Sequence, residues 1–148
     1  MTDDLREQAL ERVGRILQGK WHLDALIGVG GTASVYSATH RNHKRAALKM
    51  LHRDVSRNAE IRERFLREGY VANTVGHAGA VSVLDDDVSE EGLAFLVMEL
   101  LEGETLDARW ESAGPTLDPL EVLGWTDALL DVLTVAHEKG IVHRDLKP

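Results

Sequence analysis

Four groups of residues in this 148-residue chain combine side-chain types that suit phosphate chemistry. The first is a glycine cluster, Gly28-Val29-Gly30-Gly31, which lies between two strand-like segments. Glycines at such a turn let the backbone approach a ligand closely, and exposed N–H groups suit phosphate oxygens. A plain hairpin turn explains the same residues equally well, so other residues must decide between the two interpretations.

The second group is Lys49, inside the apolar segment 45–51. Side chains alternate along a strand, which places Lys49 on one face with Ala47 and Leu51. A lysine in such a segment has two interpretations. It points to solvent from an edge strand, or it faces inward and meets an anion.

The third group is Glu68, which continues a stripe at helical spacing formed by Ile61, Phe65, Ala72 and Val75. Burying a carboxylate is costly unless a cation meets it. An inward-facing Glu68 and an inward-facing Lys49 would satisfy each other, and the ammonium would then point at phosphate oxygens near the glycine turn. The alternative is that Glu68 lies at the edge of the stripe and is solvated.

The fourth group is the hexapeptide His143-Arg144-Asp145-Leu146-Lys147-Pro148. In a loop, an aspartate can accept a hydroxyl proton while a lysine two residues later stabilises a transferring phosphoryl group. A charged hexapeptide is also typical of a solvated tail. Its position after a strongly apolar helix favours the functional interpretation.

The elements that must position these residues begin with a meander. Segments 21–27, 34–39 and 45–51 predict three antiparallel strands separated by the glycine turn and a polar turn. A helix follows, capped by Asn58 and ended by Gly76. Two further strands are predicted at 80–84 and 93–99 around an acidic turn.

Helices dominate the rest of the chain. A short helix is predicted at 105–112, and a longer one starts at Asp118-Pro119 and stops at Lys139-Gly140. This last helix is apolar on most faces, which is typical of the centre of a large core. At the other end of the sequence, Leu5, Ala9, Val13 and Leu17 recur at helical spacing and predict an amphipathic helix within residues 1–20.

Composition excludes several classes of protein. The formal net charge of −8 argues against a general binder of nucleic acid or anionic membranes. The absence of cysteine excludes disulfides, a thiol nucleophile and a cysteine-bound zinc ion. The acidic start has no signal-peptide pattern, and the apolar runs are far shorter than the ~20 residues of a membrane helix. The sequence therefore predicts a soluble, cytoplasmic chain.

Taken in order, these motifs resemble the N-terminal part of the kinase domain of eukaryotic-like, bacterial Ser/Thr protein kinases. The segment Ile27 to Tyr36 resembles the glycine-rich loop, and Ala47-Leu48-Lys49 resembles the end of the strand that carries the kinase lysine. The segment 64–68 resembles the helix whose glutamate pairs with that lysine. The segment 96–103 resembles the last strand and the hinge, and 143–148 the start of the catalytic loop.

The resemblance implies an α+β, protein-kinase-like fold that is truncated: a five-stranded antiparallel small lobe with one main helix, a hinge, and the first helices of the large lobe. Residues 1–20 would form an N-terminal extension, 21–99 the small lobe and 100–104 the hinge. Residues 105–148 would begin the large lobe and end inside the catalytic loop.

It also implies an ATP site. The upper wall of the adenine pocket would be formed by Ile27, Val35 and Ala47, with Met98 as the gatekeeper. The backbone of Glu99 and Leu101 would hydrogen-bond adenine. The phosphates would be covered by Gly28, Val29, Gly30 and Gly31.

The catalytic roles follow from the same resemblance. Lys49 would hold the α- and β-phosphates, oriented by Glu68. Asp145 would be the base that accepts the proton of a Ser or Thr hydroxyl on a protein substrate, and Lys147 would contact the γ-phosphate. The third glycine of the loop is replaced by Ala33, which suggests altered nucleotide binding if that position needs a positive φ.

No metal ligand is assigned within the chain. The family's Mg²⁺ ligands, an asparagine and an Asp-Phe-Gly aspartate, would lie beyond Pro148. Residues 1–148 are therefore expected to be inactive alone as an N-terminal fragment. The alternatives are a truncated pseudokinase that binds nucleotide or partners without chemistry, and a small-molecule kinase of similar fold, which Arg144 and Lys147 make the weaker match.

Overall fold

The computed structural model of the chain describes residues 2–114, 116–144 and 146–147. These residues form two compact units. The first contains residues Met1–Tyr70 and Ser82–Leu101, and the second contains Val71–Val81 and Glu102–Pro148. Each unit is described separately below.

A six-stranded antiparallel sheet forms the first unit, with the strand order β1-β2-β3-β4-β6-β5. The bounds of its strands are β1 Ile16–Leu17, β2 Trp21–Val29, β3 Ala33–His40, β4 Arg45–Leu51, β5 Val83–Val88 and β6 Ala94–Met98. The helices of the chain are α1 Thr2–Leu10, α2 Arg53–Ser56, α3 Ala59–Val75, α4 Leu106–Ala113 and α5 Pro119–Glu138. The predicted five strands and main helix are present, and β1 is an additional strand.

Strand β4 has the predicted alternation of faces. Leu48 and Met50 lie in a buried cluster on one side of the sheet, and Leu51 lies in a second cluster on the other side. The first cluster contains Ala9, Leu17, Leu23, Tyr36, Ala38, Ala46, Leu48, Met50, Leu93, Phe95 and Val97. The second contains Ala33, Leu51, Phe65, Val83, Ala94 and Leu96, and it includes the α3 side chain Phe65. Both faces of the sheet are therefore covered, the second of them in part by α3.

Residues 2–20 belong to the first core cluster, because Ala9 and Leu17 are buried in it. The hydroxyl of the fully buried Tyr36 donates a hydrogen bond of 3.1 Å to the carbonyl of Ala9. The predicted helix through Leu17 is wrong in its length: α1 ends at Leu10, and Gly14 adopts a φ of +87° that a helix cannot contain. The chain reverses there and adds β1 to the edge of the sheet.

Strand β5 begins three residues later than predicted and continues through three aspartates, Asp85 to Asp87. Such residues are typical of a turn. Here they lie on an edge strand of the sheet, where one side of the backbone is unpaired and charged side chains keep their hydration. The aspartates therefore cost little folding free energy in this strand. Their charge also disfavours pairing of the sheet edge with a strand of another chain.

Helix starts were predicted accurately where a capping side chain marks them. The Asn58 Oδ1 accepts hydrogen bonds from the N–H groups of Glu60 and Ile61 at the start of α3. The Thr105 hydroxyl caps α4 through the N–H of Ala108, and the carboxylate of Asp118 caps α5. These side chains satisfy N–H groups that have no partner inside a helix.

The second unit contains the end of α3 together with α4 and α5. Gly76 ends α3 with a φ of +63°, and the Lys139 ammonium donates to the carbonyls of Thr74 and Val75 at distances of 3.1 and 2.6 Å. A cation at a helix C-terminus satisfies carbonyls that have no partner in the helix. Helix α5 has a broad exposed apolar surface, and Leu120 at its start is 77% exposed.

No helix in the described part of the chain is both long enough and apolar enough to span a membrane.

Candidate active site

The glycine-rich loop is a tight hairpin between β2 and β3. The N–H of Gly30 donates to the carbonyl of Ala33 at 2.8 Å. Gly28, Gly30 and Gly31 have no positive φ, and a Cβ at Gly28 or Gly31 would meet no atom within 4 Å. Their contribution here is open space over the loop, which leaves the backbone accessible to a ligand.

Ala33, at the position of the family's third glycine, fits its backbone without strain. It begins β3, is buried, and does not adopt a positive φ. The concern that this alanine distorts the loop therefore does not apply to this conformation.

The loop is held by hydrogen bonds from His52, a residue whose role the sequence did not indicate. His52 follows β4; its ring Nε2 donates to the carbonyl of Gly30 at 2.8 Å, and its backbone N–H donates to the carbonyl of Thr32 at 2.9 Å. The imidazole is buried while Gly30 is exposed, so this hydrogen bond is partly shielded from competing water. A lone histidine after a predicted strand carries no signal of this role.

We predict that His52→Leu loosens the glycine-rich loop. The variant removes the hydrogen bond to the carbonyl of Gly30, an exposed loop residue, at an expected cost of about 0.5–1.5 kcal/mol. Hydrogen exchange of the amides at positions 30–33 should accelerate, while His52→Gln, whose amide can donate to the same carbonyl, should retain most of the protection. Unchanged exchange in His52→Leu would show that the hydrogen bond does not hold the loop.

One cross-strand row connects the loop to the lysine. Gly28 pairs with Val35, Val35 with Lys49, and Lys49 with Leu96. Paired residues in a sheet point to the same face with Cβ atoms ~5 Å apart. The register therefore places a loop glycine, an apolar wall residue and an ammonium in line on one side of the sheet.

A neighbouring row supplies the apolar surface. Ala47 pairs with Met98, and Met98 is half-buried against the second core cluster. Ile27, by contrast, lies at a register shift in β2 and is largely exposed. Ala47 and Met98 are thus cross-strand neighbours, and Ile27 lies near the end of β2.

The segment after β6 is bonded to the strand beside it. The N–H of Glu99 donates to the carbonyl of Ser82 at 3.0 Å, and the Glu99 carboxylate accepts from the N–H of Ser82 at 3.0 Å. Of the Glu99 backbone groups, the carbonyl is the one left to accept a hydrogen bond from a ligand. Leu101 is exposed, in the connection between β6 and α4.

Glu68 is not buried as the stripe predicted. Its side chain is 61% exposed, and its carboxylate accepts a hydrogen bond of 2.7 Å from Arg64, one helical turn earlier. Lys49 makes no ion pair within the described ranges, and its ammonium lies 5.8 Å from the centre of the Phe65 ring. The expected Lys49–Glu68 pair is thus absent in this conformation, because Glu68 lies at the edge of the stripe and has a cation on its own helix.

Helix α3 nevertheless approaches the sheet very closely beside Glu68. A Cβ at Gly69 would lie 2.4 Å from the Leu96 Cδ1 atom, so any larger residue would require the Leu96 side chain to shift. Leu96 is the cross-strand neighbour of Lys49. The backbone that carries Glu68 is therefore anchored next to the strand position that adjoins the lysine.

The described residues of the predicted catalytic loop belong to the second unit. Asp145, the expected base, and Pro148 lie outside the described residues. Lys147 is exposed, and Arg144 adopts a φ of +66°, which is uncommon for a residue with a side chain. No three histidine, aspartate or glutamate side chains in the described ranges converge on a metal site.

Comparison with known proteins identifies the family of the chain. Residues 21–148 match the protein kinase domain family. This chain belongs to the protein kinase family. The match covers the N-terminal part of a kinase domain, and the curated proteins similar to this chain include bacterial Ser/Thr kinases.

Two such relatives illustrate the similarity. The chain is 37% identical over 146 residues to the Ser/Thr-protein kinase PksC of Streptomyces coelicolor, covering 91% of this chain and 26% of PksC. It is 38% identical over 147 residues to PknA of Mycobacterium tuberculosis, covering 93% of this chain and 33% of PknA. The chain thus spans about a quarter to a third of the length of these relatives.

Solved structures agree on the fold. The Mycobacterium tuberculosis PknI kinase domain superposes with a TM-score of 0.72 at 28% sequence identity, covering 92% of this chain and 54% of that one. The truncated kinase fold expected from the sequence is therefore confirmed, with β1 as an addition to its sheet.

Proposed function

We propose that the protein carries out Ser/Thr phosphorylation of protein substrates with ATP, and that residues 1–148 supply its nucleotide-binding part. The observation that carries the proposal is the cross-strand row from Gly28 through Val35 to Lys49. It places Lys49 on the same face of the sheet as the open glycine-rich loop, two strands away, an arrangement that suits a polyphosphate. The Ser/Thr kinase relatives support the same reaction class.

In this proposal Lys49 binds the α- and β-phosphates, and the loop 28–31 covers them. The adenine lies against Val35, Ala47 and Met98, with Ile27 closing over it from the rim. The Glu99 carbonyl and the Leu101 N–H bind the edge of the base.

Glu68 would exchange Arg64 for Lys49 when the nucleotide is bound. Exposed pairs four residues apart on a helix contribute only about 0.3–0.5 kcal/mol, so Arg64 is a weak competitor. The close contact of Gly69 with Leu96 keeps the glutamate near the lysine during this exchange. The expected result is a Lys49 ammonium held in one orientation.

Proton and phosphoryl transfer are assigned to the catalytic-loop segment. Asp145 would accept the proton of the Ser or Thr hydroxyl, and Lys147 would contact the γ-phosphate. Kinases in this family use Mg²⁺ to neutralise the phosphates, and the described residues of this chain do not form a site for it. We therefore expect residues 1–148 alone to bind nucleotide without turnover.

The test is nucleotide binding by the Lys49→Met variant. Loss of a charge-assisted hydrogen bond to phosphate should weaken the binding of a fluorescent ATP analogue by about tenfold or more. Lys44→Met is the matched control, because Lys44 lies in the exposed turn before β4, and its affinity should equal that of the unmodified chain. Equal affinity of Lys49→Met and Lys44→Met would contradict the proposed site.

A second assay separates the two candidate activities. Phosphoryl transfer to a protein substrate by the full-length protein, abolished by Asp145→Asn, would establish the kinase. Nucleotide binding without any transfer by the full-length protein would instead establish a pseudokinase that serves as a binding module.

A further inference from the structure

A cleft of about 340 Å³ in the first unit lies outside the nucleotide site. It is bordered by α2, the start of α3 and the turn between β5 and β6. Three arginines line it, Arg53, Arg57 and Arg62, together with one carboxylate, Glu91. This local excess of positive charge is notable in a chain whose formal net charge is −8.

The single carboxylate already has two partners. Glu91 accepts a hydrogen bond of 2.7 Å from Arg53 and one of 2.6 Å from Arg15. The hydrogen bond from Arg53 holds the pKa of Glu91 below its usual range, against the opposite effect of partial burial. Glu91 is therefore ionised at neutral pH and committed to these two guanidinium groups.

The other two arginines have no such partner. Across the ranges that the structure describes, the side chains of Arg57 and Arg62 make neither a hydrogen bond nor an ion pair. Arg62 is also half-buried, which reduces its hydration. Two like charges that share a cleft without a counterion repel each other, and an anion placed between them would relieve that repulsion.

The cleft is preformed. Ser56 and Leu93 are buried beneath it, and the Ser56 hydroxyl donates to the carbonyl of Gly92 at 3.2 Å, which joins α2 to the β5–β6 turn. The Asn58 cap fixes the start of α3 beside Arg57. Binding therefore requires ordering of arginine side chains and little rearrangement of the backbone.

The lining selects among anions. A phosphomonoester carries nearly two negative charges and three terminal oxygens, which suits several guanidinium groups at once better than a carboxylate does. A nucleoside base would need apolar or aromatic surface, and Leu93 is the one apolar residue of the lining. Nucleic acid would need an extended basic surface, which the acidic chain does not favour.

We propose that this cleft binds a phosphorylated serine or threonine of a peptide segment, with Arg57 and Arg62 as its principal ligands. The proposal does not depend on phosphoryl transfer by this chain. It has one structural consequence, since Arg62 and Glu68 belong to the same helix. An occupied cleft would fix the first turns of α3 and with them the helix that carries Glu68.

The test is the binding of a fluorescein-labelled, uncharged peptide that contains one phosphothreonine, measured by fluorescence polarisation with the full 148-residue chain. Replacing both arginines (Arg57→Gln with Arg62→Gln) should weaken binding by about tenfold or more. Arg67→Gln is the matched control, because Arg67 is an exposed arginine of α3 that does not line the cleft. Its affinity should stay within about twofold of the unmodified chain, as expected for a distant surface charge.

Several outcomes would overturn the proposal. These are equal binding of the unphosphorylated peptide, equal losses of affinity in the double variant and in Arg67→Gln, and displacement of the phosphopeptide by an equal concentration of inorganic phosphate. The last result would assign the cleft to free phosphate.

Glu91→Gln tests the same electrostatics by an increase in affinity, and it serves if the double variant fails to fold. Removing the one carboxylate should tighten binding of the phosphopeptide, and weaker or unchanged binding would contradict the proposed electrostatics.

Discussion

The Ala9→Asp variant is expected to lose at least about 3 kcal/mol of folding free energy, because it buries a carboxylate without a cation. Ala9 is 0% exposed, and its carbonyl accepts the hydrogen bond of the buried Tyr36 hydroxyl. A charged side chain at this position must either be desolvated or expel α1 from the sheet. Both results appear as a lower midpoint in urea-induced unfolding.

Leu10→Asp is the control for this variant, because it places the same charge on the same helix one residue later. Leu10 is 50% exposed, so its carboxylate would remain hydrated. The expected loss is within the range of about 0.5 kcal/mol typical of surface substitutions. Equal destabilisation by the two variants would mean that α1 is not packed on the sheet as described.

The Phe95→Ala variant is expected to destabilise the first unit by about 3–5 kcal/mol, the range for truncation of a buried phenylalanine. Phe95 is fully buried in the cluster that includes Tyr36 and Leu48, and its strand, β6, has neighbours on both sides. The substitution removes the ring and leaves a cavity in the first core cluster.

Trp21 can report on this variant, since its ring packs against His40 with 4.6 Å between the ring centroids, in the same unit. The contribution of Trp21 to the fluorescence change in urea should have its midpoint at a lower urea concentration in Phe95→Ala. Leu84→Ala, on the exposed edge strand β5, should shift it little. A small shift for Phe95→Ala would contradict the buried position of this ring.

Sequence patterns predicted the features that depend on strong local preferences. The alternation along β4 was correct because its residues lie in two separate cores, and a slip of one residue would reverse every side chain. The capped starts of α3 and α5 were correct because Asn58 and Asp118 satisfy helix N–H groups within a few residues. Both signals come from residues within a few positions of each other, and each has a free-energy effect large enough to fix the local structure.

The features that sequence patterns missed depend on small energies or distant contacts. The Glu68 carboxylate can pair with an arginine on its own helix or with a lysine on β4. The free energies of these two arrangements differ too little for the spacing of apolar residues to predict which one forms. The hydrogen bond from His52 to Gly30 joins residues 22 positions apart. The roles of the nucleotide-binding residues remain predictions, and the Lys49→Met experiment addresses them.

The match to the protein kinase domain family begins at Trp21, but the folded unit includes the residues before it. A recombinant piece that started at Trp21 would leave Tyr36 without its hydrogen-bond acceptor and Glu91 with one arginine instead of two. It would also expose Leu23 and Leu48 on the sheet face that Ala9 and Leu17 now pack against. Cloning boundaries for this protein should therefore follow the buried residues of α1 and not the start of the family alignment.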